Sequence, residues 1–217
     1  MPGTIPKSIW VYRIVHVDNI EFILTHGMHA KDHPERDTNY VNIGLPQIQG
    51  LRSSQPVRIR NHSHLADGYL TNYIAFYFGQ RQPMLYKIQT GHGGVTMRPP
   101  SDIVYVCCKL DVLRAECAKV IFTDGHASKI ISSHYDDFNL LTEVDWNMVN
   151  EREWNDTDDD NDRKRRKQAE LLVHSHVPPS CIGGLVVYNA ASKTKIETIM
   201  NKLKIQIPVK INHELYY

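Results

Sequence analysis

Short runs of β-branched and aromatic residues recur along this chain, each closed by a turn signal, and they limit what it can fold into. Ile9 to Val17, Tyr73 to Phe78 (YIAFYF), Ile103 to Cys108, Val120 to Thr123, Cys181 to Tyr188 and Ile205 to Ile211 have the length and residue types of strands. Short helical patterns lie between them. Ile20 to Thr25 stops before Gly27, where a helix would close; Asp111 to Ala118, part of His134 to Leu141 and Asp145 to Trp154 follow. Thr194 to Lys204 is amphipathic, with Ile196, Ile199 and Leu203 toward a core. This mixture predicts an α+β fold. In 217 residues there is no internal repeat and no long low-complexity segment, so the chain reads as one domain over residues 9–217 behind a short arm at residues 1–8.

Charge narrows the function. The formal net charge is +1, so the chain is not a general polycation for nucleic acid. No apolar run approaches membrane-spanning length, and the amino terminus lacks the apolar stretch of a secretory signal. Cys107, Cys108, Cys117 and Cys181 form no CxxC pair, and the first two would point to opposite faces of a strand. A cytoplasmic protein with reduced, buried thiols and no membrane contact is expected.

Two segments stand apart from regular structure. From Ala30 to Arg60 periodicity is poor, with at most one short helix near Leu45 to Leu51. A loop of this length suggests a ligand-covering role, and its Arg36, Arg52, Arg58 and Arg60 suit phosphate. The second segment is RKRRKQAELLVHSHV, Arg163 to Val177. Five cations, preceded by the acidic stretch Glu151 to Asp162, run into an apolar strand with one acid, Glu170. With period two, Leu171, Val173, Ser175 and Val177 share one face, and Glu170, Leu172, His174 and His176 the other. Taken alone, this is more often a solvated basic run and a guarded strand than a catalytic site.

Several chemistries are absent. There is no G-x-S-x-G, Walker A or G-x-G-x-x-G motif. The pairs His62/His64 and His174/His176 lack zinc-site spacing, so no metal is expected. What remains is one placed acid, loop arginines and an aromatic strand. That set can cleave the nicotinamide–ribose bond of NAD, where the leaving group is already cationic and a carboxylate near the sugar carbon stabilises developing charge.

The blocks YRIVHVDNI (Tyr12 to Ile20), YIAFYFGQRQPMLYKI (Tyr73 to Ile88), VIFTDGHAS (Val120 to Ser128), VDWNMV (Val144 to Val149) and RKRRKQAELLVHSHVP (Arg163 to Pro178) together resemble the DNA ADP-ribosyltransferase toxins of bacterial toxin–antitoxin pairs. The resemblance implies an ADP-ribosyltransferase-like split mixed β core with peripheral helices. It implies NAD as a consumed co-substrate, transfer of ADP-ribose to a base of single-stranded DNA, thymine or guanine, and an antitoxin partner with a macrodomain. Carried onto this chain, the catalytic pair is Glu170 and a loop arginine, best matched by Arg52, with Arg58 or Arg60 as alternatives. Tyr12, Arg13, Ile14, His16, Phe22, Ala30 and Tyr77 fall on the cofactor cleft. Arg13 stands where well-known members carry a histidine. His126 and Arg163, Lys164, Arg165, Arg166 and Lys167 fall on the DNA side. An RNA or protein acceptor, or a non-catalytic nucleic-acid-binding domain on the same fold, are the competing readings.

Overall fold

The computed structural model describes residues 3–60 and 67–217; the His62/His64 pair lies outside the described residues. In chain order the elements are β1 (Trp10–His16), α1 (Ile20–His26), β2 (Met28–His29), α2 (Pro46–Ser54), β3 (Tyr73–Tyr77), α3 (Pro83–Thr90), β4 (Ile103–Lys109), α4 (Leu110–Glu116), β5 (Val120–Thr123) and β6 (His134–Tyr135). Then follow α5 (Trp146–Asn150), α6 (Arg163–Lys167), β7 (Glu170–His174), β8 (His176–Val177), β9 (Ile182–Val187), α7 (Ala190–Leu203) and β10 (Val209–Ile211).

Eight strands form one mixed sheet in the order β10-β9-β4-β1-β3-β7-β5-β6, and β2 pairs with β8 in a small second sheet. The middle of the large sheet is thin. β1 pairs with β4 over its whole length but meets β3 only at Tyr12 opposite Tyr77. Beyond that pair the two halves diverge, leaving their unpaired edges to wall a cleft. This is the split core that the resemblance implied.

Local sequence explains the framework. β4, IVYVCCK, is almost wholly buried because both its faces are covered, and Cys107 and Cys108 enter separate apolar clusters as alternation requires. Pro83 opens α3 and Gly91, in the left-handed region, closes it. Asn189 accepts a hydrogen bond from the Ser192 amide and caps α7. All four cysteines are buried and free.

The short helix expected within His134 to Leu141 is a 3-10 helix at Phe138–Glu143; before it Tyr135 stacks on Phe122, ring centroids 5.0 Å apart, and β6 joins the sheet. Two other expectations change. The period-two reading of Leu171 to Val177 ends early because Ser175 has a φ of 66°. His174 therefore packs on Tyr73, while His176 turns to the second sheet beside His29. The terminal strand is shorter than Ile205 to Ile211 and begins at Val209.

Candidate active site

Glu170 is the first residue of β7, beside the point where the sheet splits, and pairs with Tyr77. Only 1% of its surface is exposed. Burying a carboxylate is costly unless donors surround it, and two segments supply them. Arg52, in the last turn of α2, places Nη1 3.0 Å from Oε2. The amide of Ala127 donates to Oε1 at 3.0 Å. Thr123, at the end of β5, accepts from the Glu170 amide at 3.1 Å and donates to the Gly125 carbonyl, so it ties the strand to the turn carrying Ala127.

Burial pushes the Glu170 carboxyl up, but Arg52, His126 and the Ala127 amide outweigh it and hold the group below its ordinary value. The acid is thus a carboxylate at neutral pH. Burial drives His126 the other way, below its ordinary value, against the pull of Glu170. Its Nδ1 accepts from the Ser128 amide at 3.1 Å, so the ring stands as a neutral imidazole with Nδ1 3.8 Å from Oε1. Burial and the Glu170 charge together raise the Tyr77 phenol.

A cleft of about 530 Å³ opens over this pair, lined by Arg13, Ile14, Phe22, Ala30, Arg52, Tyr77, His126 and Glu170 among others. Its size is in the range of small-molecule and cofactor sites, roughly 300–1,000 Å³. Arg36 and Lys31 also reach it. Nη2 of Arg52 is buried without a hydrogen-bond partner among the described residues, so the guanidinium has a donor group free for a ligand. An anionic or hydroxyl-rich ligand in the cleft would satisfy it, which is the fit expected for NAD.

The resemblance matched the loop arginine best to Arg52, with Arg58 or Arg60 as alternatives. Arg52 contacts Glu170; Arg60 donates to the Tyr135 hydroxyl at 2.8 Å, and neither it nor Arg58 lines the cleft. Tyr12 and His16 do not line the cleft. The Tyr12 ring meets Tyr105 edge-on with centroids 6.3 Å apart, inside the second apolar cluster. His16 is buried at the strand end, where Nδ1 caps the following turn by accepting from the Asp18 amide.

The larger correction concerns the five cations, which do not form an open patch. The acidic stretch before them folds back and pairs with them. Arg165 bonds both carboxylate oxygens of Asp162 at 2.7 Å and lies 3.2 Å from Asp124. Arg166 binds Asp145 and Asp160. Lys167 is 1% exposed, and its Nζ donates to the carbonyls of Val149 at 2.9 Å and Glu151 at 2.7 Å. Arg163 donates to the carbonyls of Asn155 and Glu153, and Lys164 sits over the Trp154 ring at 5.3 Å. Opposite charges adjacent in sequence pair at small loop-closure cost, so the run braces the turn that leads into Glu170. Thr123 and the Ala127 amide were the missed members; both lie in the VIFTDGHAS block, whose clustered polar residues were the available signal.

A split mixed sheet whose cleft floor holds a buried carboxylate clamped by arginine defines an ADP-ribosyltransferase. Residues 12–217 match the family profile described as "ssDNA thymidine ADP-ribosyltransferase, DarT". The DNA ADP-ribosyl transferase of Escherichia coli O127:H6 is 31% identical over 98% of this chain and 95% of that protein. DarT of Thermus sp. 2.9, solved in complex with ADP-ribosylated ssDNA, superposes with a TM-score of 0.86 at 24% identity, covering 100% of both chains; the same protein is also solved in complex with NAD+. A DNA ADP-ribosyl transferase–DNA ADP-ribosyl glycohydrolase fusion protein of Thermosipho africanus is 25% identical over 93% of this chain and 48% of the fusion. This chain belongs to the DarT family and is an NAD-dependent DNA ADP-ribosyltransferase. No described helix is long and apolar enough to cross a membrane.

Proposed function

We propose that this chain transfers ADP-ribose from NAD to thymine in single-stranded DNA, with Glu170 as the catalytic carboxylate and Arg52 as its partner. The observation that carries the assignment is the 3.0 Å contact of these two at the cleft floor, reached from elements 118 residues apart. NAD supplies a glycosidic bond whose leaving group is already cationic. Its C1′–nitrogen bond breaks with the electron pair leaving on nicotinamide, and the C1′ bond to the base nitrogen forms. Glu170 stabilises positive charge on the sugar and accepts the proton of the base nitrogen. Arg52 keeps that carboxylate ionised and offers Nη2 to the dinucleotide. Arg13, Ile14, Phe22, Ala30 and Tyr77 form walls of the same pocket. His126 orders the turn at residues 124–129, whose Lys129 amide donates to its carbonyl, on the side where a splayed base must enter.

Of the basic run, Arg163 and Lys164 are the members that no carboxylate of the described residues holds in an ion pair, while Arg165 and Arg166 are so held. Arg163 and Lys164 are the ones left to meet a DNA phosphate. The fusion of the Thermosipho relative to a glycohydrolase supports a toxin role and a macrodomain antitoxin that removes the modification; both act in the cytoplasm, where NAD and unpaired DNA coexist. The test is mass spectrometry of oligonucleotides after incubation with NAD. A thymine-containing strand should gain one ADP-ribose, with fragment ions placing it on thymine. Labelling that persists when every thymine is replaced by another base would refute the assignment.

A further inference from the structure

The rim of the cleft carries a cluster of imidazoles that the transfer chemistry does not use. His29, in β2, lies with its ring 4.5 Å from that of His33 and 4.5 Å from that of His176, nearly parallel to the latter. One ligand atom each from His29, His33 and the exposed Glu35 lie within 4.8 Å of one another. Nitrogen and oxygen donors about 2.1 Å from a tetrahedral zinc ion stand roughly 3.4 Å apart, so small side-chain rotations close the set. Nδ1 of His29 is buried without a hydrogen-bond partner.

The backbone that presents these groups is ordered by hydrogen bonds. β2 pairs His29 with His176 of β8. The Ala30 amide donates to the Ser175 carbonyl at 2.8 Å, the His33 amide to Ala30 at 3.1 Å, and the Arg36 amide to His33 at 3.2 Å. The Glu35 amide donates to His33 Nδ1 at 3.1 Å, so ion binding exchanges one hydrogen bond of this turn for a coordination bond. His29, Ala30, Lys31 and Arg36 all line the cleft.

We propose that His29, His33 and Glu35 form a site for a divalent ion of the zinc class, which fastens the turn from Ala30 to Arg36 against β2 as one wall of the cleft. Two imidazoles and a carboxylate suit such an ion, with water as the remaining ligand. The ion holds the wall and takes no part in glycosyl transfer.

The test uses the full chain, freed of metal by a chelator, and needs neither NAD nor DNA. Titration calorimetry with zinc chloride should show saturable binding of one ion per chain. His33→Ala and Glu35→Gln should each weaken it by about tenfold or more, while His92→Ala, outside the cluster, leaves it unchanged. Thermal unfolding of each ion-free variant should match the wild type, which separates ligand loss from misfolding. Trypsin should cut after Lys31 and Arg36 more slowly when zinc is present, and this protection should vanish in His33→Ala. Absence of saturable binding, or wild-type affinity in both ligand variants, overturns the site. Equal cleavage with and without zinc overturns the fastening.

Discussion

Replacing Glu170 with Gln keeps the side chain's shape and removes its charge. The carboxylate accepts from Arg52 Nη1 and from the Ala127 amide, each at 3.0 Å. An amide offers one acceptor oxygen, so one of those donors must face an NH2 group. An unmet buried donor costs about 1–3 kcal/mol, and at this chain length each kcal/mol lowers Tm by roughly 2–4 °C. The kinetic effect is larger. A carboxylate about 4 Å from a sugar carbon gaining positive charge contributes roughly 4 kcal/mol at an effective dielectric of about 20, or about a thousandfold in rate. Loss of the proton acceptor adds a factor of about one hundred or more. Single-turnover transfer to a thymine-containing oligonucleotide, at saturating NAD and below the variant's unfolding range, should therefore slow by roughly 10⁵. Affinity for the oligonucleotide, measured separately, should stay near the wild-type value. A folded variant that transfers within tenfold of the wild-type rate would refute the role given to this carboxylate.

The acid limb follows from the same group. Its folded pKa lies below the ordinary value, so the stability it contributes is present above the ordinary carboxylate range and is lost as pH falls through the folded value. The wild-type advantage over Glu170→Gln in denaturant unfolding should shrink across that acid interval, and an advantage that grows on acidification contradicts the assignment. Lys167 runs oppositely: burial pushes it down to about 8, and the unfolded chain binds the extra proton between there and the ordinary lysine value. Wild-type stability should rise with pH across that window by up to roughly 3 kcal/mol relative to Lys167→Met; urea titrations near the two ends would detect the difference, and parallel curves would rule it out. Gly27 has a φ of 83°, and an added Cβ would clash with the Val177 carbonyl oxygen. Gly27→Ala should cost at least about 1–3 kcal/mol and loosen the pairing of β2 with β8, readable by denaturation and amide exchange. For DNA, neutralising Arg163 and Lys164 together should flatten the log–log salt dependence by at most about 1.4. A change near 3.5, the value for about five phosphates on a single strand, would mean that the whole run engages DNA.

Much of the framework was legible in the chain because its cause is local. The strand runs at Tyr73, Ile103 and Val120 and the helix stop at Gly27 depend on neighbours a few residues away, whereas the last long helix begins at Ala190, before the expected Thr194. Glu170 stood out as a lone carboxylate opening an apolar strand, a pattern that taken alone favours structure; the family resemblance implied its catalytic role. What composition and spacing could not supply were choices made across long loops. Three arginines in one irregular segment are equivalent as sequence; α2 and the sheet split bring one of them to Glu170. Five cations in a row read as a patch until the preceding acids fold back on them, because opposite charges pair wherever the chain lets them approach. Tyr12 and His16 are taken up by the second apolar cluster and by a turn cap, which β-strand alternation does not reveal. The imidazole cluster likewise joins residues of two distant strands and the turn after the first. In this protein, near-neighbour preferences wrote most of the elements, and a carboxylate at the head of a strand, into the sequence. The partner of that acid, the fate of the cations and the walls of the cleft were decided by tertiary contacts, whose energies depend on distances that the order of residues alone does not contain.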